Sequence, residues 1–217
     1  MRVTTLAIAI VHIFICAFVI ADPTSYDWIL SNTNDFATSS AAPKGTTIDA
    51  QGNVYIVGTY RQKVSFGQIS FPNTQPNYNA IYLVKLTPQG QVIWANFLIS
   101  TGAGNYNALG MAMDASGNIF VAGSQTSGIS ATWSNDPNNI GPIASVYSFI
   151  IKLDENGNPL QYIAGSAVIM DIAVESTGKV NVVCAIYNSG DFGPGTDVTV
   201  SGYGIVVYVF STADLSH

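Results

Sequence analysis

The sequence predicts an all-β protein made of three repeated units, and two observations support that fold class. A turn with an acidic residue three positions before a glycine recurs between short apolar runs, at 49–53, 114–118 and 175–179. The carboxylate can accept backbone N–H groups of its own turn, and the glycine supplies the positive φ that a tight reversal needs. No stretch after the first 21 residues shows a sustained helical period. Each repeat therefore predicts a β-hairpin.

Residues 1–21 predict a secretory signal peptide that is not part of the fold. Arg2 provides a positive start, 6–20 is an apolar run, and a small-residue cleavage pattern follows it. An uncleaved membrane anchor is the alternative, because the run is just short of the ~20 apolar residues that span a bilayer. We expect cleavage, since no basic residues follow the run. The mature chain, 22–217, is then expected to be secreted to the extracellular space, with no membrane contact of its own.

Composition argues against several classes of function. The mature chain has 13 acidic and six basic residues, a formal net charge of −7 (6 − 13), which argues against nucleic acid as a partner. Cys184 is its one cysteine and His217 its one histidine. An intramolecular disulfide, a Ser-His-Asp or Cys-His catalytic arrangement and a zinc site are therefore not expected. We interpret Cys184 as a buried, inert thiol, with an intermolecular disulfide as the alternative.

The apolar runs and turns divide the mature chain into units of about four strands each. The approximate units are 32–98, 99–165 and 166–217, together with an N-terminal strand at 26–31. Successive turns lie 65 residues (114 − 49) and 61 residues (175 − 114) apart. A period this regular is typical of stacked or radial units.

These units resemble the SBBP-type β-propeller repeat, which is found in secreted and cell-surface proteins. The segments that carry the resemblance are the turn, strand and glycine of 49–58 and 114–123, Phe66-Gly67, the Asp-Phe-Gly-Pro-Gly of 191–195, the strand-turn segment 83–90 with Trp94, and the strand-turn segment 150–158. The resemblance implies radial blades of four strands. It implies no particular activity, since propellers carry many.

The third unit departs from this pattern, because Lys179, Cys184 and Val209 replace the usual Asn, Gly and Lys. Propellers usually close with four to eight blades, whereas this chain encodes about three. We expect the strand at 26–31 to complete the third sheet beside 205–210, in the same chain or in a neighbour's. Two copies could then form a homodimeric six-bladed ring. An open three-blade arc from a degenerate fragment is the alternative.

Carboxylates are the remaining candidates for acid–base chemistry. The candidates are Asp136, Asp154, Glu155, Asp171, Asp191 and Asp197. We interpret Asp154 and Glu155 as solvated turn residues. Asp171, aligned with Thr46 and Gly110, is interpreted as a structural hydrogen-bonding group.

A calcium site is a weaker hypothesis. Asp191 and Asp197 flank a Gly-Pro turn, and its carbonyl oxygens could join the two carboxylates around the ion. The sequence has no Asp-x-Asp-x-Asp-Gly loop, which favours a plain turn between two outer strands. We therefore expect no cofactor, and a carboxylate-based, calcium-dependent propeller hydrolase or lyase is the alternative function.

Surface recognition is the leading functional hypothesis. The polar insertion of the second unit places Trp133 beside Asn135 and Asp136, and Tyr60-Arg61 begins the corresponding loop of the first unit. Aromatic rings beside amide groups could stack on sugars, whereas packing of Trp133 over the blade edge is the alternative. We predict a secreted, non-enzymatic binding or structural module that contacts an extracellular protein or glycan through its loops.

Overall fold

The computed structural model describes residues 40–126, 130–138, 147–192 and 195–216, which form fourteen β-strands and no helix. The all-β prediction is confirmed. Within these residues no helix is long and apolar enough to cross a membrane. The predicted signal peptide and the predicted strand at 26–31 lie outside the described residues.

Twelve of the strands form three antiparallel sheets, which we call blades 1 to 3, and two form a separate hairpin. Blade 1 has the spatial order β1 (Ser40–Ile48), β2 (Val54–Arg61), β5 (Asn79–Leu86), β6 (Val92–Ser100) and β9 (Ala131–Trp133). Blade 2 has the order β7 (Tyr106–Met113), β8 (Ile119–Gln125), β10 (Ser148–Leu153) and β11 (Pro159–Gly165). Blade 3 has the order β12 (Val168–Glu175), β13 (Lys179–Gly190) and β14 (Val198–Ser211). The hairpin pairs β3 (Lys63–Phe66) with β4 (Ile69–Pro72).

The blades stack face to face. Alternate side chains of a strand point to opposite faces of its sheet, so the second strand of blade 2, β8, contributes one set to the contact with blade 1 and the other set to the contact with blade 3. The residues that make these contacts are Tyr55 and Val57 of blade 1, Ile119, Phe120, Val121 and Ala122 of blade 2, and Val180 and Val182 of blade 3. Blade 2 is thus covered on both faces, which explains its unbroken apolar strands.

The first strands, β1, β7 and β12, contact one another in chain order, as blades fanned about a common axis require. Each contains a β-bulge at the same place, and the register aligns Asp171 with Gly45 and Gly110. Our alignment of Asp171 with Thr46 was therefore wrong by one residue. A Cβ on Gly45 would lie 3.1 Å from Met111 Cγ. The glycines thus let neighbouring first strands approach closely.

A lysine of each of the first two blades binds a turn of the next blade. Lys85 Nζ lies 3.5 Å from the Glu155 carbonyl oxygen, and Lys152 Nζ donates to the Ala213 carbonyl oxygen at 2.7 Å. The cross-strand register makes Val209 the equivalent residue of blade 3. Blade 3 therefore lacks the donor with which blades 1 and 2 bind the blade that follows them.

The polar insertion of the second unit carries a strand back to blade 1. β9 pairs with the outer edge of β6, where Trp133 lies opposite Leu98. The indole Nε1 of Trp133 donates to the Gly157 carbonyl oxygen of blade 2 at 3.0 Å. The insertion therefore connects the outer edges of two blades.

Cys184 lies where the other two repeats have glycine, and its larger side chain is accommodated because its cross-strand partner is smaller than theirs. A Cβ on Gly123 would lie 2.3 Å from Cζ of Phe149, its cross-strand partner. In blade 3 the Cys184 side chain and the smaller side chain of Val206 fill the space that the Phe149 ring fills in blade 2. The three cross-strand pairs are Gly58 with Tyr82, Gly123 with Phe149 and Cys184 with Val206.

The thiol of Cys184 is buried in the core between blades 2 and 3. Its burial raises the pKa of the thiol to about 12, so very little reactive thiolate forms at neutral pH. The predicted burial of the thiol is confirmed, and its lack of reactivity stays a prediction.

We expect Gly123→Cys to destabilise the fold by about 2 kcal/mol, because the new side chain overpacks the site against the Phe149 ring. The double variant Gly123→Cys/Phe149→Val reproduces the pair of blade 3 and should recover at least half of that loss. Urea unfolding of the wild type, both single variants and the double variant measures the coupling. Strictly additive losses would contradict the compensating pair.

Candidate functional site

The recurring turns are held by their own carboxylates. Asp49 Oδ1 accepts the backbone N–H groups of Gln51 and Asn53 at 3.0 and 2.8 Å, and its Oδ2 accepts the Asn53 amide at 2.9 Å. Asp114 and Asp154 form the same set of bonds in their own turns. The predicted architectural role of the acidic residue is confirmed in the first two repeats. The same bonds make Asp154 a turn residue, as expected.

The turns of the three blades converge on one cleft at the end of the blades that we call the turn end. The cleft has a volume of about 490 Å³. Carboxylate residues from all three blades line it, and none of its described lining residues is basic. These acidic residues are Asp49, Asp114, Glu155 and Glu175.

Hydrogen bonds favour the ionised form of two of these carboxylates. Burial opposes ionisation of Asp49, but hydrogen bonds from the side chain and backbone of Asn53 outweigh it and lower the pKa below its usual value. Hydrogen bonds from Thr177 and Asn181 likewise lower the pKa of Glu175. A general acid would need a raised pKa. The pKa of Asp49 and that of Glu175 are shifted in the opposite direction, which favours a charged role for these two residues in the cleft.

Asp49 also takes part in the junction between blades 1 and 2. Its Oδ2 lies 3.5 Å from Lys85 Nζ and accepts the Tyr55 hydroxyl at 3.2 Å. The Lys85 ammonium lies 4.9 Å from the centroid of the Tyr55 ring. Among the described residues no ion pair is found for Asp114 or Glu155.

Two of the residues predicted to bind at the surface are buried. Tyr60 is 1% exposed and its ring packs edge-on against Phe97 at 5.6 Å, and Trp133 is 6% exposed. Neither ring has a free face on which a sugar could stack, because Tyr60 lies under the β3–β4 hairpin and Trp133 packs over the blade edge. The structure therefore does not support glycan stacking by Tyr60 or Trp133.

The other three predicted surface residues do not form one site. Arg61 Nη2 donates to the Asn77 carbonyl oxygen at 2.6 Å, at the end of blade 1 opposite the turn end. Asn135 Nδ2 donates to Asn158 Oδ1 at 2.6 Å beside a turn of blade 2, and Asp136 follows it, partly exposed. Binding through these residues stays a prediction.

The weak calcium candidates are used in other ways. Asp191 Oδ2 accepts the Ser166 hydroxyl at 2.9 Å, its carbonyl oxygen accepts backbone N–H groups, and Asp197 is exposed. In the described part of the chain no group of three His, Cys, Asp or Glu residues could hold a metal ion. Calcium binding stays the weaker hypothesis beside the prediction of no cofactor, and part of the candidate loop, 193–194, lies outside the described residues.

Sequence reasoning missed the cleft although it singled out the turns. Asp49, Asp114 and Glu175 were interpreted one repeat at a time, as residues that shape their own hairpins. The sequence feature that could have revealed the cleft is the acidic residue at the same position of three repeated turns. When the three hairpins stack in register, these residues must lie at the same end of the stack.

No family model matches the chain. A curated protein, "Uncharacterized WD repeat-containing protein L264" of Acanthamoeba polyphaga mimivirus, is 28% identical to it over 155 residues. The match covers 63% of this chain and 11% of that protein, so the chain spans about a tenth of the length of this relative. The similarity supports a β-propeller-type repeat in general, and the SBBP type stays a prediction.

We expect ionised Asp49 to stabilise the fold most above pH 4. Its pKa in the folded chain is lowered from 3.8, so its contribution is present above the pKa of the unfolded chain and is lost as pH falls through the lowered value. Asp49→Asn should flatten the fall in the free energy of unfolding below pH 4, as measured by urea unfolding between pH 2.5 and 7. Asp197→Asn, at an exposed carboxylate, is the matched control. Equal curves for the wild type and Asp49→Asn would refute this assignment.

Proposed function

We propose that this chain is a non-enzymatic, β-propeller-type protein-interaction module whose acidic cleft binds a basic segment of a partner protein. The observation that supports this most directly is the convergence of carboxylates from three blades on one cavity with no basic residue among its described lining. The similarity to a WD repeat-containing protein also favours an interaction module.

The turns give the cleft a rigid surface. The Asp114 carboxylate is fixed by three hydrogen bonds of 2.7 to 2.9 Å within its own turn. A partner therefore meets charges that are already in position, and binding loses little conformational entropy on this side of the interface. The formal net charge of the mature chain, −7 (6 − 13), attracts basic partners over longer distances and should make association depend on salt.

Exposed groups outside the cleft are proposed as secondary contacts to a protein or glycan. Arg61 and Asn135 are exposed, and Asp136 is partly exposed. Their side chains include a guanidinium, an amide and a carboxylate, which can bind polar groups of a partner. Because they lie apart, each would add to a contact that the cleft dominates.

We also propose that the module acts outside the cell after removal of residues 1–21. The proposal rests on the positive start, apolar run and cleavage pattern of that segment. When the full chain is expressed in a secreting host, N-terminal sequencing of the protein in the medium should begin at Asp22. Recovery of the chain only in the cells, with residues 1–21 still attached, would contradict secretion.

A fluorescein-labelled deca-lysine peptide tests the cleft. We expect micromolar binding at 50 mM salt that weakens as salt rises, because the attraction is electrostatic and screened. Asp114→Asn/Glu155→Gln should weaken binding at least tenfold, since it removes two cleft charges while the amide oxygen introduced at position 114 can still accept the N–H groups of its turn. Fluorescence anisotropy measures the affinity.

The matched control for the peptide experiment is Asp171→Asn/Asp197→Asn, which changes the net charge equally at exposed positions outside the cleft. This control should retain affinity within about twofold of the wild type. An equal loss in both double variants would show that net charge alone attracts the peptide, and would overturn the cleft as the binding site.

A further inference from the structure

Blade 3 exposes an apolar sheet face on the side away from blade 2. On β14, alternate side chains bury against blade 2, while those between them point outward, with Tyr203 87% and Ile205 81% exposed. Contiguous apolar surface of this kind marks an interaction site in soluble proteins. We call it the open face; its residues are Val168, Met170, Tyr187, Tyr203, Ile205, Val207 and Val209.

The open face corresponds to the faces with which blades 1 and 2 hold the next blade, but it lacks two of their features. Val209 replaces the lysine that binds the next blade's turn in the first two blades. Asp171 replaces the glycine that lets the next first strand approach, and its side chain is exposed. These two residues disfavour another blade of the same kind as the occupant of the face.

Closure with blade 1 of a second copy is also disfavoured. The face of blade 1 that points away from blade 2, against which a ring would bring the open face, is covered by the β3–β4 hairpin, where the Phe71 ring stacks on Phe97 at 3.6 Å and Phe66 packs on Tyr82 at 5.0 Å. Ile56, at the centre of that face, is fully buried. The six-bladed ring predicted from sequence would require the hairpin to leave this position.

We propose that the open face packs against the open face of a second copy of this chain, related by a two-fold axis. The middle of strands β13 and β14 carries no charged side chain. Asp171 lies on the edge strand β12 opposite Val183, in the row of Val207, and Glu175 and Lys179 lie at the turn end of the face. The middle of these two strands is thus an uncharged surface on an acidic protein, where two like-charged copies can approach with little repulsion. Outward β-branched side chains at 205, 207 and 209 form a ridge that can interdigitate with its symmetry mate, as in a sandwich of two sheets.

The size of the face predicts a weak dimer. Three strands about 4.8 Å apart and a length of six residues at about 3.3 Å each give a footprint of about 14 by 20 Å. This lies below the range of stable interfaces. We therefore expect a dissociation constant in the micromolar range, with dimers at high concentration and monomers on dilution.

Sedimentation equilibrium of the purified chain between 1 and 200 μM tests the proposal. Ile205→Lys should raise the dissociation constant at least tenfold, because each copy would bury an unpaired ammonium in the interface. Ile93→Lys is the matched control, because Ile93 is an isoleucine of blade 1 that is 45% exposed. This variant should leave the dissociation constant of the dimer unchanged. Because both side chains are exposed, neither change should alter the melting temperature by more than a few degrees.

A short bismaleimide cross-linker distinguishes the face-to-face dimer from a ring. In Val207→Cys the engineered thiol is exposed while Cys184 stays buried, so face-to-face pairing should give a cross-linked dimer. A ring would place the two engineered thiols on different interfaces and give none.

Three outcomes would overturn the proposal. They are a monomer at 200 μM, a dimer that Ile205→Lys does not weaken, and a dimer that Val207→Cys does not cross-link. A monomer would instead favour a further blade, or the chain's own segment at 26–31, as the partner of this blade. None of these results depends on the acidic cleft, so each tests self-association separately from the proposed function.

Discussion

The packing of each sheet on the next is the constraint on which this structure depends. Tyr55 and Val57 of blade 1, and Phe120 and Ala122 of blade 2, are covered because another blade lies against them. An isolated sheet with two apolar faces would leave both in water, at a cost of roughly 25 cal/mol for every Å² exposed. Apolar packing by itself does not set the angle between two blades. The hydrogen bonds from Lys85 and Lys152 to carbonyl oxygens of the next blade do, because they fix the rotation of each blade relative to its neighbour.

The acidic cleft is a consequence of the same packing. Each turn uses a carboxylate to bind its own N–H groups, as Asp49 and Asp114 do, and stacking in register brings these turns to one end. The carboxylates are thus placed by hairpin geometry, and their hydrogen bonds hold them in fixed orientations. A general acid or base needs a carboxyl group that gains and loses a proton near neutral pH, whereas hydrogen bonds lower the pKa of Asp49 below its usual value.

Much of the fold could be predicted from the sequence because its determinants are local. The turns at Asp49 and Asp114 depend on residues within five positions of one another, and the buried state of Cys184 follows from its apolar neighbours. The features that were missed depend on distant partners. The hydrogen bond from Trp133 to Gly157 joins different blades, and Tyr60 is covered by a hairpin that follows it. The bulge of β12 carries Asp171 where β1 and β7 have Gly45 and Gly110, so no glycine marks its position in the sequence. The cleft, likewise, exists only after three blades are stacked.

The residues of blade 3 that differ from the repeat pattern fall into two groups, one on the face towards blade 2 and one on the opposite face. Cys184 faces blade 2, and its extra volume is offset within the sheet by Val206. Val209 and Asp171 affect the side away from blade 2, where no compensating residue accompanies them in the part of the chain that the structure describes. If blade 3 had only lost the repeat pattern and nothing covered this face, we would expect polar side chains on it, because exposed apolar area is costly and promotes aggregation. Ile205 and Val207 are instead aliphatic and largely exposed, which is the composition expected of a surface covered by another apolar surface.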